Sequence, residues 1–397
     1  MQNMAGPIVD AVSPDSNCCR AWREETSMTA EEQQSSSILQ VTLRADIGGG
    51  PEHLHQLLLN WPNRFRAIVA APREAPYWDR FESAVGPDNM SELPHRRFSF
   101  GSLCSLAVSN RTRRVRLIHS HGKGAGAYAR VLGFLSGAVC VHTFHGLHVG
   151  EYGRLSKALY LLLERVLGYA TAAAICVSEG ERRAIAATGI LPERKLHVIE
   201  NGVATPPVRS GEPDDEIIQL IGVSRYDHQK NAELMIEIAE NLAAMPGFGP
   251  FRLTVYGTGE RLAACRARVF EKGLSSVIDL PGATVSLRKA FRCSHIFLST
   301  SRWEGMPMAV LEAMSENLPV VATDVVGNHD VVRDGETGVL FPNEDPVSGA
   351  AAVAQLRNRD FRRRLGEAGR RQVEHSYSVR RMVERTQALY EQVLACS

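Results

Sequence analysis

Short apolar runs rich in β-branched residues recur along this chain, with a helical pattern between most of them, and the alternation happens twice. The first series lies at 38–43, 67–71, 115–119, 138–142, 173–177 and 196–199. A stretch rich in Pro, Gly and acid at 206–215 interrupts it. A second series follows at 217–223, 253–256, 296–299 and 320–323, and a charged helical tail at 360–396. Strands that alternate with helices need crossover connections, which builds parallel sheets covered on both faces. The expectation is an α/β chain of two Rossmann-like, doubly wound parallel-sheet domains, at 37–203 and 217–377, joined by a linker at 204–216. Residues 1–36, rich in Ser, Glu, Gln and Asn, are expected to be a disordered extension.

A length of 397 residues agrees with two domains. The 44% hydrophobic and 22% charged content is that of a soluble globular protein, and a net charge of +1 provides no field for nucleic acid. Eight cysteines occur without a Cys-x-x-Cys pair, several within apolar runs, so buried thiols are expected rather than disulfides or a zinc site. No segment is apolar enough to span a bilayer, and the N-terminus lacks a signal-peptide pattern, so a cytoplasmic location is expected.

Ligands of doubly wound sheets bind beyond the carboxyl ends of the strands, so the loops there carry most weight. After the first strand come Gly48, Gly49 and Gly50, followed by Pro51, Glu52 and His53. Consecutive glycines let the backbone approach a phosphate or sugar closely. The Gly122–Gly126 segment superficially matches a dinucleotide fingerprint. No acid occurs from 117 to 150 to bind a ribose, so its glycines are read as helix–sheet packing. Five histidines fall between 119 and 148. No carboxylate lies nearby in sequence to orient them, so no metal is assigned; His145, before a glycine at a strand end, is the one placed to face a cleft.

In the second half, Arg225 and Lys230 bracket a polar turn after a strand, where a guanidinium fork and an ammonium could neutralise a diphosphate. The segment Ser301-Arg302-Trp303-Glu304-Gly305-Met306-Pro307-Met308-Ala309-Val310-Leu311-Glu312 follows strand 296–299. Carboxylates suit sugar hydroxyls, and a helix start opening at Pro307 offers backbone N–H groups to a phosphate. One short segment could hold both.

These motifs occur together and in order. With Thr143-Phe144-His145-Gly146, Ile199-Glu200-Asn201-Gly202-Val203 and Tyr256-Gly257-Thr258-Gly259, residues 38–397 resemble the retaining family 4 glycosyltransferases of GT-B fold, the group 1 glycosyl transferases. That resemblance implies two domains facing across a cleft. Arg225 and Lys230 would hold the donor diphosphate and Glu312 the ribose. Glu304 with the backbone of Gly305, Met306, Pro307 and Met308 would hold the donor sugar, and His145 would reach that sugar from the other half. It also implies a last helix, 378–397, packing back on the N-terminal domain, and catalysis with neither metal nor cofactor.

The expected function is sugar transfer with retention, from a nucleotide sugar (UDP by family frequency) to a glycan or lipid-linked acceptor in polysaccharide or glycoconjugate biosynthesis. A nucleotide-sugar epimerase of the same fold and a non-catalytic bilobal sugar-binding protein are the alternatives. Residues 152–170 mix Arg154, Lys157 and Arg165 with Leu155, Leu159, Leu161, Leu162 and Leu163, a pattern suited equally to a peripheral membrane contact or to an ordinary core-facing helix.

Overall fold

A computed structural model describes residues 36–396 apart from 47, 63, 147–152, 209–210, 212–215 and 285. The expected extension, Ser36 aside, lies outside the described residues, as do His148, Tyr152 and much of the 206–215 stretch. Seven strands form the first sheet: β1 (Ser37–Thr42), β2 (Arg66–Ala71), β3 (Met90–Glu92), β4 (Val115–His121), β5 (Val139–Thr143), β6 (Ala173–Cys176) and β7 (Leu196–Val198). Six form the second: β8 (Ile218–Val223), β9 (Phe251–Tyr256), β10 (Ile278–Gly282), β11 (Ile296–Ser299), β12 (Val320–Thr323) and β13 (Gly338–Phe341). Every strand pairing within these sheets is parallel.

The strand orders are β3-β2-β1-β4-β5-β6-β7 and β10-β9-β8-β11-β12-β13. Both run outward in opposite directions from their first strand. Each half therefore has one switch point, β1/β4 in the first and β8/β11 in the second, where the loops diverge and leave a crevice. All six residues of β1 are buried, so both its faces lie against protein, and Ile38, Leu39 and Val41 supply its apolar signal.

The sequence reading missed β3, β10 and β13, and all three are edge strands. An edge strand needs no unbroken apolar run. β3 is three residues long, β10 carries Pro281, and β13 opens on Gly338. The cysteine expectation needs correcting in part: Cys140, Cys176 and Cys265 are buried, but Cys104, Cys293 and Cys396 are exposed.

The charged tail divides into helices Arg359–Ser376 and Val379–Ala395, with Ser378 capping the second through its side chain. The second helix packs on the first sheet: Val379, Met382, Val383, Leu389, Tyr390 and Leu394 share a core with Ile38, Leu57, Leu117 and Ile175. Tyr390 Oη lies 2.6 Å from His119 Nδ1 and accepts a bond from Gln40 Nε2 at 3.1 Å. Gly202 makes the crossing possible, because a Cβ there would lie 2.5 Å from Val379 Cα. Removing the Tyr390 hydroxyl would strand two buried polar partners, so Tyr390→Phe should lower stability by about 1–3 kcal/mol in chemical denaturation. An unchanged denaturation midpoint would show that the buried network contributes nothing.

Candidate active site between the two sheets

The crevice is built from loops at the carboxyl ends of strands at and next to the switch points of both sheets. Gly48 caps helix Gly49–Leu59 after β1, in extended backbone. Gly49 abuts the other half, since a Cβ there would meet Met308 Cγ at 3.3 Å; at Gly50 it would lie 3.9 Å from His145 Cδ2. The glycines thus bring backbone up to Met308 on one side and His145 on the other.

His145 follows β5 with a φ of 55°, a left-handed conformation uncommon for a residue other than glycine. A Cβ on Gly305 would lie 3.0 Å from Gly146 N and 3.2 Å from the His145 carbonyl carbon. The two halves meet here backbone to backbone. Glu181, buried at the start of helix Glu179–Thr188, accepts the N–H groups of Gly146 and, at 2.7 Å, Val177. Burial pushes its carboxyl up to about 7, while those two bonds pull the other way. The Ser178-x-x-Glu181 spacing is a helix-start signature, yet here the glutamate reaches beyond its own cap to the neighbouring loop. Sequence reading missed it for that reason.

On the other side, Lys230 Nζ lies 2.5 Å from Glu304 Oε1, and Ser301 Oγ donates to the same oxygen at 2.6 Å. Glu304 is almost fully buried and Lys230 largely so. Arg225 pairs with Asp227 at 3.2 Å and donates to Gln229 Oε1 at 2.9 Å. Gln229 in turn donates to the Trp303 carbonyl, and Thr300 Oγ1 to the Asn231 carbonyl, which stitches the loop after β8 to the loop after β11. The Tyr256–Gly259 turn underlies the loop after β8: a Cβ at Gly257 would lie 1.8 Å from the Ser224 carbonyl oxygen.

Helix Met308–Ser315 begins one residue later than expected. Pro307 occupies the cap and Met308 the first turn, so the free N–H groups sit one step further on. Met306 is buried, and its Sδ receives the Asn201 N–H from the first half. Glu312 points into a cavity of about 190 Å³ that it shares with Glu52, Arg288 and Met308. Burial and the like charge of Glu52 raise its carboxyl to about 8. Glu52, unassigned from sequence, is held by Tyr77 Oη at 2.6 Å and Gln56 Nε2 at 2.6 Å.

The structure gathers the histidines more tightly than sequence suggested. His121 Nε2 lies 2.8 Å from Gln40 Oε1, and its Nδ1 lies 3.3 Å from His145 Nε2. His53 crosses His145 edge-on, with ring centroids 4.9 Å apart. Ring nitrogens of His53, His121 and His145 all fall within 4.8 Å of one another, a set able to hold a metal ion. Burial drives His53 down to about 4 and His119, His121 and His142 well below their usual range. At neutral pH these four rings are uncharged. Of the Gly122–Gly126 glycines, two pack: a Cβ at Gly124 would lie 2.7 Å from Leu43 Cδ1 and one at Gly126 2.9 Å from His142 Cε1, whereas one at Gly122 would meet open space.

Residues 47–205 match the domain described as Glycosyltransferase Family 4, and residues 217–359 the domain described as Glycosyl transferases group 1. The chain belongs to this glycosyltransferase family. Among its relatives is the UDP-Gal:α-D-GlcNAc-diphosphoundecaprenol α-1,3-galactosyltransferase of Escherichia coli, 25% identical over 303 residues, covering 73% of this chain and 78% of that one. The α-maltose-1-phosphate synthase of Mycolicibacterium smegmatis is 28% identical over 370 residues, covering 82% and 90%. Anabaena HepE in complex with UDP and glucose superposes with a TM-score of 0.79 at 15% identity, over 90% of this chain and all of that one. Sucrose-phosphate synthase from Thermosynechococcus elongatus gives 0.75 at 19%, over 91% of this chain and all of that one. The fold of this glycosyltransferase is GT-B, two Rossmann-like sheets facing one another.

The raised Glu312 carboxyl sets a pH test. Its folded value of about 8 lies above its ordinary 4.5, so its contribution is fully present below pH 4.5 and is lost as pH rises through about 8. Thermal melting from pH 5 to 9 should therefore fall more steeply for the wild type than for Glu312→Gln. The neutral variant should be the more stable of the two at pH 9; parallel curves would contradict a raised carboxyl.

Proposed function

We propose that this glycosyltransferase moves a sugar from a UDP-sugar to a glycan or lipid-linked acceptor, retaining the configuration at the transferred carbon, in polysaccharide or glycoconjugate biosynthesis. The observation that carries this reading is the Lys230–Glu304 pair, held in the loops beyond β8 and β11 in the half that contacts His145 through Gly305. A cation, a carboxylate and an imidazole drawn from both halves suit a sugar diphosphate lying between them. UDP is chosen because a relative over most of the chain uses UDP-galactose, and that relative's diphosphoundecaprenol acceptor supports a lipid-linked one here. Because the matched relatives transfer sugars, transfer is favoured over epimerisation and over non-catalytic sugar binding.

In the proposed step the bond from the anomeric carbon to the diphosphate breaks, and a bond to an acceptor hydroxyl oxygen forms on the same face. The hydroxyl proton passes to the departing diphosphate oxygen. Arg225, Lys230 and the helix start at Met308 take up the charge developing there, without a resident metal. Lys230 and Ser301 both engage Glu304 Oε1, which orients the carboxylate for a hydroxyl of the donor sugar. Gly48, Gly49 and Gly50 bring backbone N–H groups to the donor from the first half. Glu312 receives the ribose, and His145 faces the transferred sugar.

Glu304→Gln should lower kcat by about 10²–10³-fold with release of UDP falling in parallel, the scale of losing a preorganised polar contact; full transfer by this variant would remove the assigned role. Arg225→Ala should weaken UDP binding about tenfold or more in calorimetry, and unaltered affinity would take it out of the diphosphate site. Treatment with EDTA should leave transfer unchanged. Activity lost to EDTA and restored by a divalent cation would instead give the histidine trio a metal.

A further inference from the structure

We propose that the outward face of helix Arg154–Tyr169 is a docking surface for an anionic lipid bilayer. The helix is apolar on the wrong side for an ordinary surface helix. Leu155, Leu159, Leu162, Leu163, Val166 and Tyr169 are all exposed, Leu155 at 83% and Tyr169 at 86%. Their spacing of three and four residues lines them along one stripe, about 24 Å long over sixteen residues. A surface helix normally turns such a stripe inward.

The inward face carries the partly buried Leu161, packed on the core beside Ile185 and Leu191, together with polar and small groups. Glu164 is 3% exposed and pairs at 3.2 Å with Arg130, itself 1% exposed. Gly168 lets the helix approach Leu191, where a Cβ would come within 2.9 Å of Cδ2 and 3.0 Å of the Ile190 carbonyl oxygen. Lys195 Nζ donates to the Gly168 and Thr171 carbonyls at the helix end. Turning the leucines inward would expose a buried ion pair and drive a bulky side chain against Leu191. The helix is therefore fixed with its apolar stripe outward. The neighbouring helix Lys123–Ser136, tied to it by the Arg130 pair, also leaves Phe134 exposed in its last turn.

Charge selects the occupant. Arg154, Lys157 and Arg165 are exposed, and the helix's single acid, Glu164, is buried and paired. An apolar stripe flanked by cations alone fits acyl chains below anionic headgroups, with the helix lying in the interface plane. Among the described residues no helix is long and apolar enough to cross a membrane, so the contact is peripheral. Leu161 of the helix packs on the cluster that includes Phe144, the residue before His145, so docking would hold the His145 side of the crevice close to the bilayer. That use of the surface rests on the lipid-linked acceptor proposed above, whereas the docking itself does not.

The full chain should co-sediment with vesicles of mixed phosphatidylglycerol and phosphatidylcholine, less with phosphatidylcholine alone, and less again in high salt. The double variant Leu159→Glu, Val166→Glu should bind anionic vesicles at least about tenfold more weakly. Because both positions are exposed, its melting temperature and its transfer to a water-soluble acceptor should match the wild type. Failure of the wild type to bind anionic vesicles, or undiminished binding by the double variant, would overturn the proposal. So would a wild-type dimer in solution that the double variant dissolves, since the occupant would then be a second copy of the chain. Vesicle binding without any transfer to either acceptor would support docking while telling against the function proposed above.

Discussion

The contact of Gly305 with the His145–Gly146 backbone is the constraint on which the crevice depends. At that separation a side chain would press directly on backbone atoms, so a glycine lets the two halves approach this closely without displacing the loop. Everything around the contact is arranged to hold it. Glu181 takes the Gly146 N–H from below, Gly327 allows the loop after β12 to lie on Glu304, and the Asn201 N–H meets Met306 Sδ. Val177 of the first half packs in a core with Met306, Val310 and Val331 of the second. Burying ionisable groups in such a junction costs free energy, and the raised carboxyls of Glu181 and Glu312 record that cost.

Charge is distributed unequally across the crevice. The second half supplies cations paired with carboxylates, Lys230 with Glu304 and Arg225 with Asp227. The first half supplies neutral imidazoles, kept so by burial and by one another. An anionic ligand would be held by one wall and met by hydrogen-bonding rings on the other. The cation pairs are already oriented, which would reduce the entropy lost on binding the diphosphate proposed above.

Much of the fold was legible because its central strands are buried on both faces. β1, β4, β8 and β11 each carry several apolar residues, many of them β-branched, and the glycine and cation loops follow directly from them. What stayed hidden was whatever sits at an edge or acts across a distance. β3, β10 and β13 lie at sheet edges with short or Pro- and Gly-bearing sequences. Glu52 carries no local mark of its position opposite Glu312, and nothing near His53 in sequence points to His121 or His145. The helix at 154–169 has an apolar periodicity that fits either an inward or an outward stripe; the Glu164–Arg130 pair and the close approach at Gly168 decide which.

By itself, then, the sequence determined two parallel α/β halves, the loops that carry their chemistry, and the residue types in those loops. Periodicity and turn residues are local properties of the chain, and strand ends follow from them. The tertiary structure decided which of those residues face each other: Lys230 bound to Glu304, Glu312 beside Glu52, three imidazoles in one cluster and a leucine stripe turned to solvent. These pairings join positions up to 260 residues apart, Glu52 and Glu312 among them, and only packing brings such positions together.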